Sequence, residues 1–347
     1  MNTSNTSAAT RRQLLVLCEA PDATPESIEA LLNAGADIEA RDEMCDWTPL
    51  ILAAGRNSNP ESIKTLLKAG ADIRARVQFE ETALMYAALH NSNPAIIEAL
   101  LKAGADIEAR TKRGETPLSF AAGKNSNPHS IETLLKAGAD IEASDKFGQT
   151  PLMYAALYNF NPAIIETLLK TGADTEARAK CGKTPLMCAA KYNSNPEIID
   201  ILIKAGDDIE TRVEGGETPL MFAATSNSNP KVIEALLEAG ANIEASDKED
   251  NTPLMYAAAL NSNPKVIEAL LEGGANIEAS DKEGNTPLMY AALYNSNPAI
   301  IETLLKAGEN AKAKNKKGTT ALDYAKDNDE IYETEAYWEL NDSAYSR

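Results

Sequence analysis

Residues 286–319 read TPLMYAALYNSNPAIIETLLKAGENAKAKNKKGT, and this stretch decides the fold. Thr286 followed by Pro287 is a helix start, with a hydroxyl able to accept a backbone N–H bond and a proline suited to the first helical position. Leu288, Ala291 and Ala292 follow at helical spacing and give a narrow apolar face. That helix is expected to end near Asn295. Asn297 and Pro298 then repeat the start signal for a second helix, whose stripe is Ile300, Ile301, Leu304 and Leu305. Gly308 stands where a left-handed residue closes a helix. An extended polar segment follows and ends in the turn at Gly318.

The same frame recurs along the chain. A Thr-Pro-Leu or Thr-Ala-Leu triplet begins at Thr48, Thr82, Thr116, Thr150, Thr184, Thr218, Thr252, Thr286 and Thr320, always 34 residues apart and with no insertion or deletion. A fixed period of this length marks a repeat array rather than one globular core. Two short helices and a turn cannot bury their apolar face alone, so each repeat must stack on its neighbours. The expected fold class is an all-α repeat solenoid. The expected organisation is a disordered 1–10, a degenerate capping repeat at 11–47, eight repeats over 48–319, and a capping repeat with tail at 320–347. In that tail a helical stretch is expected near 331–340, carrying Trp338 with its glutamates toward solvent.

The runs G-x-T-P-L-x-x-A-A and L-L-x-x-G-A-D-I-x-A, as in Gly148–Ala156 and Leu168–Ala177, resemble the ankyrin repeat. That resemblance covers nearly the whole chain and implies stacked helix–turn–helix repeats with protruding β-turn or hairpin loops. Two departures stand out. The family's usual His after Thr-Pro-Leu is replaced by Ile51, Met85, Ser119, Met153, Met187, Met221, Met255 and Met289. The period is 34 rather than the usual 33, with the extra residue in the Asn-x-Asn-Pro loop. The polar bridge between repeats that the His would make is thus expected to be absent, with thioether dispersion contacts in its place.

Composition narrows function. Aromatic residues are 5% of the chain, so Ala and Leu must build the core, and the net charge is −19. That charge argues against nucleic acid or a membrane surface as partner and leaves a basic protein partner open. No stretch has transmembrane length, and the apolar run 14–18 is too short for a signal-peptide core, so a cytoplasmic monomer is expected. Cys18, Cys45, Cys181 and Cys188 fit no metal-ligand spacing and are read as reduced thiols. His90 and His129 fall at different repeat positions and form no dyad. No Gly-rich phosphate loop occurs and the carboxylates have no evident pocket. No enzyme activity, metal or cofactor is expected.

Partners of ankyrin-like proteins lie against the concave face made by first helices and turn tips. Carried over by position, this implies contact through Tyr86, Phe120 and Tyr154 at the fifth residue of each repeat. It also implies His90, Lys124, Tyr158, Lys191 and Tyr192 at the variable eighth and ninth, and Phe79, Arg113 and Phe147 at the tips. For the fifth-position rings, packing between repeats is an equally good reading. The later repeats are near copies, which places the specific contacts in residues 77–192. Second helices carry Glu98–Lys102, Glu132–Lys136, Glu166–Lys170, Asp200–Lys204 and Glu302–Lys306 and read as a solvated outer face. The Asn-x-Asn-Pro loops are explained by capping and turn formation. The function implied is a non-enzymatic protein-interaction scaffold. An inhibitory or regulatory subunit of a separate enzyme, or a plain spacer, are the alternatives.

Overall fold

The computed structural model describes residues 12–345, so the disorder expected at 1–10 lies outside the described residues. The described residues divide into two compact blocks, with the boundary between 174 and 175. The first holds five helix pairs: 12–19 with Pro25–Asn33, Pro49–Arg56 with Pro60–Lys68, Ala83–His90 with Pro94–Lys102, Pro117–Lys124 with Pro128–Lys136, and Pro151–Tyr158 with Pro162–Lys170. The second also holds five: Pro185–Tyr192 with Pro196–Lys204, Pro219–Ser226 with Pro230–Glu238, Pro253–Leu260 with Pro264–Glu272, Pro287–Tyr294 with Pro298–Lys306, and Ala321–Lys326 with Glu335–Tyr345. The final helix thus starts at Glu335, later than its sequence suggests, after a turn that buries Ile331. No strand occurs among the described residues. The tips are closed as tight turns by backbone bonds such as Val77 N–H to Glu81 O and Thr111 N–H to Glu115 O.

Local signals set the helices. Thr48, Thr82, Thr116, Thr150, Thr184, Thr218, Thr252 and Thr320 each accept a backbone N–H three residues on. The second helices from Pro60–Lys68 to Pro298–Lys306 are capped by asparagine, as where Asn263 accepts from Lys265 N–H, and Pro25–Asn33 is capped by Thr24. Packing follows the pattern: Leu254, Ala257, Ala258, Val266, Ile267 and Leu270 are at most 1% exposed, and so are Met85 and Met153 in the first block and Met187, Met221, Met255 and Met289 in the second.

Thioether contacts are not the only tie between repeats, because asparagine makes polar bridges that the sequence reading did not foresee. Asn261 is buried, and its Nδ2 donates to Ala224 O and Asn227 O of the preceding repeat, at 2.9 and 3.0 Å. Its Oδ1 accepts from Asn263 N–H. Asn263 Nδ2 donates in turn to Ser228 O. Asn91 and Asn125 do the same in the first block, and Asn227 and Asn295 in the second. At the far end Asn328 takes the place, donating to Ala292 O and Asn295 O. Two further ties run along the array. Glutamates accept from the N–H of the next repeat (Glu108 from Asp140, Glu244 from Asn276), and arginines donate to its carbonyls (Arg76 to Arg110 O, Arg212 to Ser246 O).

Three local readings also change. Thr286 makes no capping bond, although its repeat is otherwise regular. Instead Glu309, expected on a polar segment, is buried where most repeats carry alanine, and its Oε1 accepts from Leu288 N–H at 2.7 Å, as Asp207 Oδ2 accepts from Leu186 N–H at 3.2 Å three repeats earlier. Its Oε2 and Thr286 Oγ1 are both buried without a hydrogen bond. Four of the five helix ion pairs form, whereas Asp200 and Lys204 form none among the described residues.

Two stability predictions follow from these contacts. Asn261→Ala leaves two buried carbonyls and one buried N–H unsatisfied, and should lower unfolding free energy by about 2–3 kcal/mol. Urea denaturation would show it, and a loss no larger than that of a surface change would contradict the bridge. Glu309 is held up to about 8, chiefly by desolvation. Its folded form keeps a proton that the unfolded chain releases near 4.5, so its contribution is complete below that pH and falls away as pH rises through about 8. Glu309→Ala, which places there the residue most repeats carry, should remove this fall, at most about 5 kcal/mol by the shift involved. Parallel pH–stability curves for the two proteins would refute it.

Candidate protein-binding surface

The first helix of each repeat ends in an exposed residue, and the tip before it projects beside the helix start. One fifth-position ring connects the two. Tyr154 donates its hydroxyl to Asp145 Oδ2 (2.9 Å) and Glu115 Oε1 (3.2 Å) at the turns, while its ring lies 6.1 Å from that of Tyr158 at the helix end. Desolvation, then the two carboxylates, hold this phenol far above its usual range, so it stays a donor. Tyr154 is 9% exposed. It belongs to the frame and supports the surface from behind.

The other sequence candidates are distributed as follows. In the first block Phe79 (59% exposed), Phe147 (52%) and Tyr158 (51%) stand out from the surface. The guanidinium of Arg113 lies 5.4 Å over the Phe147 ring, so these two form one tip feature. Tyr86 and Phe120 are half-buried. Tyr86 packs edge-on to Trp47 at 5.3 Å and lies 5.5 Å from His90. His90 and Lys124 are exposed at successive helix ends, with Arg56 one repeat earlier. Desolvation, then the charges of Arg56 and Lys124, hold His90 below its ordinary range. In the second block the Lys191 ammonium lies 5.2 Å over the exposed Tyr192 ring and 5.9 Å over Phe222.

The small or large residue at the eighth position decides how each fifth-position ring sits on the preceding repeat. A Cβ at Gly55 would lie 3.2 Å from Tyr86 Cδ1, and one at Gly123 would lie 3.7 Å from Tyr154 Cδ1, so those rings close onto glycine. Over Phe222 the corresponding place is taken by Lys191, joined by Lys183 at 4.9 Å.

Sequence reasoning missed a groove. It measures about 250 Å³ and lies between the repeats that begin at Thr252 and Thr286, lined mainly by Asn251, Tyr256, Ala259, Leu260, Tyr290 and Tyr294. Its floor is tied by hydrogen bonds. Tyr256 donates to Asp247, which also accepts from Asn251; Tyr290 donates to Asn251 and Asp281; Asn285 donates to Asp281. Hydrogen bonds from Asn251 and Tyr256 outweigh desolvation and keep Asp247 below the usual carboxylate range. The Tyr290 and Tyr294 rings, 6.0 Å apart and inclined by 31°, form one wall, and Leu260 and Tyr294 are 58% and 59% exposed. The available signal was Ala259, standing where Leu157 and Leu293 occur in sister repeats.

A family model described as ankyrin repeats (3 copies) matches at residues 14–111, 89–179, 118–213, 156–247, 186–281, 220–315 and 254–334. The chain belongs to the ankyrin repeat family. Among solved structures it resembles the human ASB11 ankyrin repeat domain, with a TM-score of 0.57 and 25% identity over 66% of this chain and 98% of that domain. No curated protein matches the chain. Ankyrin repeats are in general protein–protein interaction modules of a non-enzymatic scaffold type. Among the described residues no cluster of three or more His, Cys, Asp or Glu could hold a metal ion, and no helix is long and apolar enough to cross a membrane. Cys18 and Cys188 are buried, and desolvation pushes each thiol up to about 12. Cys181 is exposed.

The His90 environment is directly testable. Its NMR titration midpoint should lie below the ordinary histidine value, and combined Arg56→Ala and Lys124→Ala should raise it, since both charges oppose protonation. A midpoint at or above the ordinary value in the native protein would contradict this reading.

Proposed function

We propose that this ankyrin repeat protein is a non-enzymatic scaffold that binds a partner protein through its first-helix ends and turn tips. The observation that carries the reading is the contrast between its two faces. At the helix ends and tips, large apolar side chains stand in water: Phe79, Phe147 and Tyr158 in one block, Tyr192, Leu260 and Tyr294 in the other. The second helices instead carry ion pairs such as Lys136–Glu132 and Lys170–Glu166, whose lysines are 77% and 74% exposed. Exposed pairs of this kind add little to stability or to recognition, whereas aromatic side chains on a rigid support supply contact area at low entropic cost. Backbone and side-chain ties hold Tyr154, Tyr256 and Tyr290 in place behind those residues, so the surface is preorganised.

Affinity capture from a lysate of the source cells tests the reading. Wild-type protein is set beside a Phe79→Ala, Phe147→Ala, Tyr158→Ala variant, with circular dichroism establishing that both are folded. A protein retained by wild type and reduced at least tenfold by the variant is expected. Equal retention would remove these three residues from the interface, and no retention above an unrelated acidic protein would overturn the scaffold reading.

A further inference from the structure

The array contains its own comparison for the groove. The Phe222 ring is covered by two of the chain's own ammonium groups, Lys183 at 4.9 Å and Lys191 at 5.9 Å. Two repeats later the ring is Tyr290, and the positions equivalent to Lys183 and Lys191, each 68 residues on, are Asn251 and Ala259. Those two residues and that ring line the groove of about 250 Å³. The place filled in one register by lysine side chains is therefore open in the other, while the aromatic support beneath it is kept. The second ring, Tyr294, replaces Ser226 and adds a further π face.

Three properties of the groove suit a cation with an apolar stem. Its lining is aromatic and aliphatic, which matches a methylene chain. The ring faces attract an ammonium placed over them within about 6 Å. Asp247 and Asp281, bound to the hydroxyls of Tyr256 and Tyr290, put carboxylates behind the rings. The flanking first helices, PLMYAAAL and PLMYAALY, carry no charge that would compete or repel. At 250 Å³ the space is below the ~300–1,000 Å³ typical of small-molecule sites and fits one side chain.

We propose that the groove between Ala259 and Tyr290 receives a lysine side chain of the partner protein, in the place that Lys191 occupies over Phe222 in the chain itself. This assignment rests on the scaffold reading and gives the partner a chemistry: a segment presenting lysine to an acidic surface. It also adds a contact in residues 251–294 to those proposed in 77–192.

The probe is pentalysine, titrated into the full chain at 150 mM salt and followed by calorimetry. Ala259→Lys supplies the missing ammonium from within, as Lys191 does two repeats earlier, and should weaken pentalysine binding at least fivefold. Tyr294→Ala, which removes an exposed wall of the groove, should do the same. Glu268→Lys, on the exposed outer helix, makes a charge change at least as large and should alter binding less than twofold. Thermal melts establish that the three variants are folded. Equal weakening by all three would reduce the effect to bulk charge and overturn the assignment, as would failure of wild type to bind or tighter groove-dependent binding of pentaarginine. If a partner captured from lysate is retained equally by wild type and Ala259→Lys, the groove assignment falls while the scaffold reading stands.

Discussion

Within each block the structure depends on one buried amide per repeat. In the inner repeats the asparagine that follows the first helix is buried and must satisfy its side chain internally; Asn91, Asn125, Asn227, Asn261 and Asn295 do so by reaching back to two carbonyls of the repeat before. Those carbonyls sit at the frayed end of the preceding first helix and in its loop, where no intrahelical donor reaches them. The same amide's oxygen fixes the following asparagine, which caps the second helix. Helix termination, loop shape and the stacking of repeats are thus set by a single side chain. Its spacing is constant from Asn91 to Asn295, and at the far end Asn328 makes the same two bonds from one residue earlier in its repeat.

This constraint explains the other departures. With the bridge made by asparagine, the residue after Thr-Pro-Leu is free to be a buried methionine, which packs without requiring a polar partner. Tips are likewise held by backbone geometry. Gly114, Gly182 and Gly216 adopt φ of +91°, +81° and +96°, and a Cβ at Gly114 or Gly216 would come within 3.0 Å of the next tip's backbone nitrogen. Glu80 and Asp250 hold the same left-handed position at +67° and +66°, a conformation that costs non-glycine residues free energy. The frame leaves the first-helix ends and tip residues as the places where side chains differ without disturbing it.

The sequence made legible what is local. Thr-Pro and Asn-Pro starts, the apolar stripes and the closing glycines all act within a few residues, and the helices appear where those signals stand. Contacts reaching from one repeat to the next were harder to see. Asn261 looked fully explained by the loop it sits in, because its two acceptors lie 34 and 37 residues away. Glu309 looked like one more charge on a polar segment, and only its placement against Leu288 N–H reveals a buried carboxyl. For Tyr154 the sequence allowed contact and packing alike, and it gave no sign of the two turns that its hydroxyl binds. The groove needed two facts together, a small side chain at Ala259 and a ring 31 residues later, which a column of aromatic positions alone does not pair.

Because the asparagine bonds of the inner repeats join the same positions at the same separation, those repeats are interchangeable at their seams. Removal of residues 252–285 would bring Asn295 to the carbonyls of Ala224 and Asn227, the partners Asn261 has now. Loss or gain of a 34-residue piece by recombination would therefore leave a chain that closes as before, one layer shorter or longer. What such an event would change is adjacency: Tyr290 would rest on Thr225 rather than Ala259. A lineage carrying this architecture can thus reshuffle which side chains meet across a seam without first inventing a new fold.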